Sequence, residues 1–148
     1  MGLLCAALVL GAGTGLAAAE GAGRPATDPG LVAAARAAVE ADPRNVTAKI
    51  RLADQLAASG ALEEALRYYD EVLADRPHAS EAKTGRGVVL AKMGRLKEAE
   101  QVLLGALVLN PNPARVHYEL GRLYQAQGEY EKALQQFKEG LRKHEIGR

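Results

Sequence analysis

The chain has 148 residues, a length that suits one domain of ordinary size. Its 48% hydrophobic content excludes a disordered polymer, and its 19 basic and 18 acidic residues are well mixed, which excludes the concentrated basic face that nucleic acid or an anionic membrane surface requires. Aromatic residues make up 4% with no Trp, so a core must be built from Ala, Leu and Val, small side chains that suit closely approaching helices better than β-sandwiches.

No charged side chain precedes Glu20. The apolar run from Leu3 to Leu10, followed by the small residues of Leu16-Ala17-Ala18-Ala19, reads as a secretory signal over residues 1–19 with cleavage after Ala19. No Lys or Arg stands before the run, a departure from the usual basic start. The rival reading is an uncleaved anchor over residues 3–19. Gly11, Gly13, Thr14 and Gly15 disfavour it, because a span needs about 20 consecutive apolar residues. The expected location is therefore secreted or periplasmic, with no membrane span after cleavage. Cys5, the only cysteine, falls in the removed segment, so the mature chain can form neither a disulfide framework nor a thiolate metal site. Residues 20–28, rich in Gly and Ala with Pro25, form a flexible lead-in.

Asp28-Pro29 is an N-cap followed by a first-turn proline, and it opens a helix over 30–41 that ends before Asp42-Pro43. Apolar periodicity then predicts six more helices, over 45–59, 62–75, 79–93, 96–109, 113–127 and 130–144. Pro43, Pro77 and Pro111 stand 34 residues apart; Gly60, Gly94 and Gly128 keep the same spacing, as do Ala65, Ala99 and Ala133. Each Gly follows the first helix of a pair, where a left-handed cap ends it. Each Pro stops the second, because it lacks the N–H that would continue the helix. Each Ala lies early in the second helix, where only a methyl group lets the two helices close.

This pattern resembles the tetratricopeptide repeat, whose signature is W-x₂-L-G-x₂-Y, then A-x₃-F, then P. The third unit carries it best, with His117, Leu120, Gly121, Tyr124, Ala133 and Phe137. The second offers Lys83, Arg86, Gly87, Leu90, Ala99, Leu103 and Pro111; the first offers Lys49, Leu52, Ala53, Leu56, Ala65, Tyr69 and Pro77. No unit has the Trp, Arg86 replaces a Leu, and Glu145 replaces the last Pro. The resemblance implies an all-α fold: a right-handed α-solenoid of stacked helix–turn–helix repeats over 46–79, 80–113 and 114–147. About three repeats and an N-terminal helix make one domain over 29–148, and that helix looks like the second helix of a degraded earlier repeat.

Catalytic chemistry finds no footing. His78, His117 and His144 have no second His four residues away, and no His/Cys/Asp/Glu spacing supplies three or four converging ligands. Gly11-Ala12-Gly13-Thr14-Gly15 lacks the Gly-Lys-Ser/Thr of a phosphate loop. Glu63-Glu64 opens a helix, where acids oppose the positive end of the macrodipole. The chain therefore reads as a protein without enzymatic activity, cofactor or metal.

In the family that the sequence resembles, the first helices of the hairpins line a concave groove that receives a protein or peptide segment. Helical spacing puts Arg115, Tyr118, Arg122 and Gln125 on that face of the third hairpin. Glu81, Thr84, Val88, Ala91 and Lys92 take it in the second, and Thr47, Ile50, Asp54 and Ala57 in the first. Tyr118, Arg122, Arg115, Gln125, Val88, Lys92 and Asp54 are the candidate partner-binding residues. The expected function is an adaptor or assembly factor that binds a protein segment in this groove. Some family members clamp a terminal carboxylate with basic and amide groups; here Ile50, Asp54 and Val88 stand in those places, and Asp54 would repel the ligand. The alternative is a self-associating module, because Leu134, Phe137 and Leu141 of the last helix have no following helix to cover them.

Overall fold

The computed structural model describes residues 28–110 and 113–146, so the expected signal, its cleavage position, the lead-in before Asp28, and Pro111 lie outside the described residues. Seven helices follow one another: α1 (Pro29–Ala41), α2 (Val46–Ser59), α3 (Leu62–Asp75), α4 (Ser80–Lys92), α5 (Leu96–Leu109), α6 (Ala114–Ala126) and α7 (Tyr130–Ile146). No strand occurs among the described residues. All seven helices stand where periodicity placed them. The last runs beyond its expected end, to Ile146.

Local chemistry starts and stops the helices. The Asp28 carboxylate accepts from the Gly30 N–H at 2.9 Å, and Asn45 accepts from the Ala48 N–H at 3.0 Å, each satisfying a donor that the first turn leaves open. Gly60, Gly94 and Gly128 have φ of 89°, 78° and 78°, the left-handed region that a side chain disfavours. The next residue closes each turn: the Ala61, Arg95 and Glu129 N–H groups donate to the Leu56, Leu90 and Tyr124 carbonyls, each at 2.9 Å. One turn chemistry, repeated every 34 residues, folds each pair back as an antiparallel hairpin.

Each helix packs on its neighbours in sequence, and α4 also adjoins α2 on one side and α6 on the other. The first helices of the hairpins thus form one layer, backed by α3, α5 and α7. Ala65, Ala99 and Ala133 are buried, which lets the two helices of each hairpin close as the repeat predicted. One core cluster joins α1 to α4 and a second joins α4 to α7; Leu66 packs against both, so the apolar interior is continuous along the stack.

Departures from the family signature have local partners. At the signature Trp position, Lys49 pairs with Glu71 at 3.2 Å and His117 Nδ1 lies 2.8 Å from the Gln136 amide oxygen. Arg86, in place of a Leu, keeps its stem half-buried and its Nε donates to Asp70 at 2.6 Å. Glu64 in the first turn of α3 pairs with Arg36 of α1 at 2.9 Å, a structural use of that acid.

Candidate functional site

The inner layer is built around a phenol that reaches through it. Tyr69 of α3 is 1% exposed, and its hydroxyl donates to Asp54 of α2 at 2.7 Å. Burial, then that hydrogen bond, hold the phenol well above its ordinary range, because ionisation would put a second negative charge beside Asp54. The ring passes where α4 carries Gly85; a Cβ at that position would overlap the ring. On the inner surface Asp54 also meets Arg115 of α6 at 4.0 Å. Gly85 makes room for Tyr69, Tyr69 fixes Asp54, and Asp54 draws Arg115 across from the third repeat to the first. Sequence reading picked out Asp54 and Arg115 but not the two residues that connect them. The signal was available: Gly85 is a glycine inside a helix, a position that needs a packing reason.

Five of the seven candidate residues fall into two groups. Val88 and Lys92 of α4 and Arg122 of α6 line one depression of about 190 Å³ with Ala91, Leu96 and Glu119. Lys92 donates to the Ala57 carbonyl in the last turn of α2 at 2.9 Å, where a cation favours the negative end of the helix. Arg122 holds Glu119 loosely at 3.8 Å with its side chain more than half exposed, so it can exchange that partner for another acid. Tyr118 instead faces α7, in an apolar groove of about 510 Å³ lined with Phe137, Gly140, Leu141 and His144; Arg115 borders the same groove while its guanidinium reaches back to Asp54. Tyr118 is 53% exposed and its ring lies 5.6 Å from that of Phe137, tilted by 52°. Gln125 is exposed on α6.

Three residues expected on the groove wall are not available to a partner. Ile50 is 7% exposed and Thr84 2%, and Ala57 is also buried. Thr84 turns its hydroxyl back to the Ser80 carbonyl at 2.7 Å. The reason is the stacking itself: Ile50 lies against the start of α4, and α4 lies against α6. Helical spacing identifies the face but not the width of the strip that the next helix covers.

Among the described residues no group of three His, Cys, Asp or Glu could hold a metal ion, and no helix is long and apolar enough to cross a membrane.

Two matches to the tetratricopeptide repeat cover residues 56–117 and 114–145, together more than half of the chain. The chain is 33% identical over 98 residues to the TPR repeat-containing protein YpiA of Bacillus subtilis, covering 66% of this chain and 23% of that protein. It is 38% identical over 74 residues to the TPR repeat-containing thioredoxin TTL4 of Arabidopsis thaliana, covering 50% of this chain and 11% of that protein. The chain thus spans less than a quarter of the length of either relative. Among solved structures it is similar to MamA of MSR-1, with a TM-score of 0.64 and 25% identity over 84% of this chain and 71% of that one. It also shares its fold with TTC0263, a thermophilic TPR protein of Thermus thermophilus, with a TM-score of 0.69 and 24% identity over 76% of this chain and 63% of that one. TPR proteins generally mediate protein–protein interaction or assembly. With its 34-residue register, its three glycine turns and these matches, the chain belongs to the tetratricopeptide repeat family.

Proposed function

We propose that this protein is a non-catalytic adaptor or assembly factor that holds a segment of another protein against the layer of α2, α4 and α6. The Asp54–Arg115 pair carries the reading. Packed helices lie about 8–10 Å apart, so side chains of α2 and α6 meet across the intervening α4 only where the layer curves toward them. A curved layer with Val88 between Lys92 and Arg122 offers an apolar floor and two cations, which suits a segment of mixed character with an acidic group. The signal-like residues 1–19 support action in the cell envelope or outside the cell.

The test is affinity capture from envelope extract, followed by calorimetry with the purified partner. Arg122→Ala should weaken binding about five- to thirtyfold, as truncation of an Arg anchor does at about 1–2 kcal/mol, and Lys92→Ala, at the same depression, should weaken it in the same direction. Glu98→Ala is the control, since Glu98 is exposed at the start of α5 and pairs with Arg95 at 2.6 Å. Parental affinity in both variants, with helicity unchanged by circular dichroism, would overturn the groove reading.

A second reading has its own support. The apolar groove between α6 and α7, with exposed Leu134 and Leu141 beside it, favours self-association through the terminal face.

A further inference from the structure

The 34-residue register shows what the α6–α7 groove is shaped to hold. Its lining residues Ala114, Arg115, Tyr118, Phe137, Gly140 and Leu141 correspond, one repeat earlier, to Ser80, Glu81, Thr84, Leu103, Ala106 and Leu107. Two repeats earlier, Tyr118 corresponds to Ile50 and Phe137 to Tyr69. At those inner positions the next 13-residue helix, α4 or α6, lies across the hairpin and buries Ile50, Tyr69, Thr84, Leu103 and Ala106. The groove is therefore a stacking face whose fitting occupant is one short helix with small side chains, as Gly85 shows where α4 crosses Tyr69.

Charge selects among sources of that helix. The groove is lined by Arg115, which also meets Asp54, and by His144; α7 carries Lys138, Lys143 and Glu145 besides Arg142, which pairs with Glu139 at 2.6 Å. Two such faces set against each other would oppose like charges. The opposite end of the same molecule carries more acids than free cations: Asp28, Glu40 and Asp42 around α1, against Arg36, which is paired with Glu64, and Arg44 just past the helix. The α1 helix is also 13 residues long and rich in alanine, and its Leu31 is 52% exposed.

We infer that the α6–α7 groove docks α1 of a second copy of this chain, so that copies associate head to tail. This rests on the self-association reading above; it shares Arg115 with the inner layer, but the substitutions that test it leave that residue in place. The two surfaces differ, so the contact is heterologous, and copies add one after another into a ring or an open chain. A single helix in a groove buries well under the about 800 Å² per partner of a standard interface, which makes the association weak.

Sedimentation equilibrium of the full chain, up to about 1 mM, tests this against that interface scale. The average mass should rise with concentration without levelling at two copies, and should fall in high salt. Leu31→Asp and Leu141→Asp should each give single copies with unchanged helicity. An equimolar mixture of the two should form pairs, since one variant keeps α1 and the other keeps the groove. If Leu31→Asp still associates while Leu141→Asp does not, terminal faces pair with each other; head-to-tail docking is then wrong and self-association stands. If only Leu31→Asp abolishes association, α1 pairs with α1 and both readings of the groove fail. They fail equally if the parent stays a single copy throughout, or if neither substitution reduces its association.

Discussion

The α2–α3 hairpin and the α6–α7 hairpin present the same set of positions to the helix that follows, and they differ in whether the described chain supplies one. Ile50 in the first is 7% exposed, whereas its counterpart Tyr118 in the last is 53% exposed. Leu73 is half-buried and Leu141 is 68% exposed at equivalent positions. Side-chain chemistry does not account for this, since an apolar residue stands at both places. Burial in a stacked repeat is a property of the junction, and each hairpin completes its core only when the next helix covers it.

The largest expected effect tests the part that is common to every hairpin. Ala99→Trp puts an indole where the side chain is fully buried between α4 and α5. Overpacking of this kind costs about 1–3 kcal/mol or more, so thermal unfolding followed by circular dichroism should show a drop of many degrees or loss of the folded state. Ala99→Ser changes little volume and should remain folded.

Gly85→Ala and Gly121→Ala sharpen the comparison directly. Both add a methyl group against an aromatic ring, Tyr69 in the covered junction and Phe137 at the open end. Tyr69 is enclosed and tied to Asp54, so it cannot yield; a loss of about 2 kcal/mol is expected. Phe137 borders the open groove, and alanine favours a helix over glycine by about 1 kcal/mol, so Gly121→Ala should change stability by less than about 1 kcal/mol. Equal costs in denaturant unfolding would mean that the open end is as rigid as the covered junction.

The alkaline limb comes next. Tyr69 and Tyr124 are both held above the ordinary phenol value of 10.0, Tyr124 at about 12, by burial and by hydrogen bonds to Asp54 and Glu100. A phenol with a raised folded value keeps its proton in the folded chain while the unfolded chain loses it. Stability should therefore be level below pH 10 and fall as pH rises from 10 toward 12. Tyr124→Phe should flatten part of that decline, and Tyr69→Phe should flatten more of it because its hydroxyl is the more enclosed. The check is denaturant midpoints measured between pH 8 and the alkaline limit.

Leu141→Asp should have the smallest effect on folding, within about 0.5 kcal/mol, as for an exposed position away from the core. Val72→Asp, at a fully buried position of the α2–α3 hairpin, should prevent folding. A large cost for Leu141→Asp in dilute protein would mean that the terminal face is covered within one chain.

The helices, the turns and the stacking register were legible in the sequence because each is a short-range property. Glycine adopts a positive φ without a Cβ clash, proline lacks a donor, and alanine allows close approach wherever they occur along the chain. That Asp54, Val88, Lys92, Arg115, Tyr118, Arg122 and Gln125 stand on the first helices of the hairpins was legible too. Tertiary structure decided what these residues can do there. It buried Thr84 and Ile50 beside neighbouring helices, tied Lys92 to the end of α2, and divided the third-repeat residues between two separate depressions. It also brought Gly85, Tyr69, Asp54 and Arg115 together from four different helices. A spacing rule describes one helix at a time. Contact between side chains of four helices depends on the angles and separations at which those helices pack, and these follow from the whole set of buried side chains together.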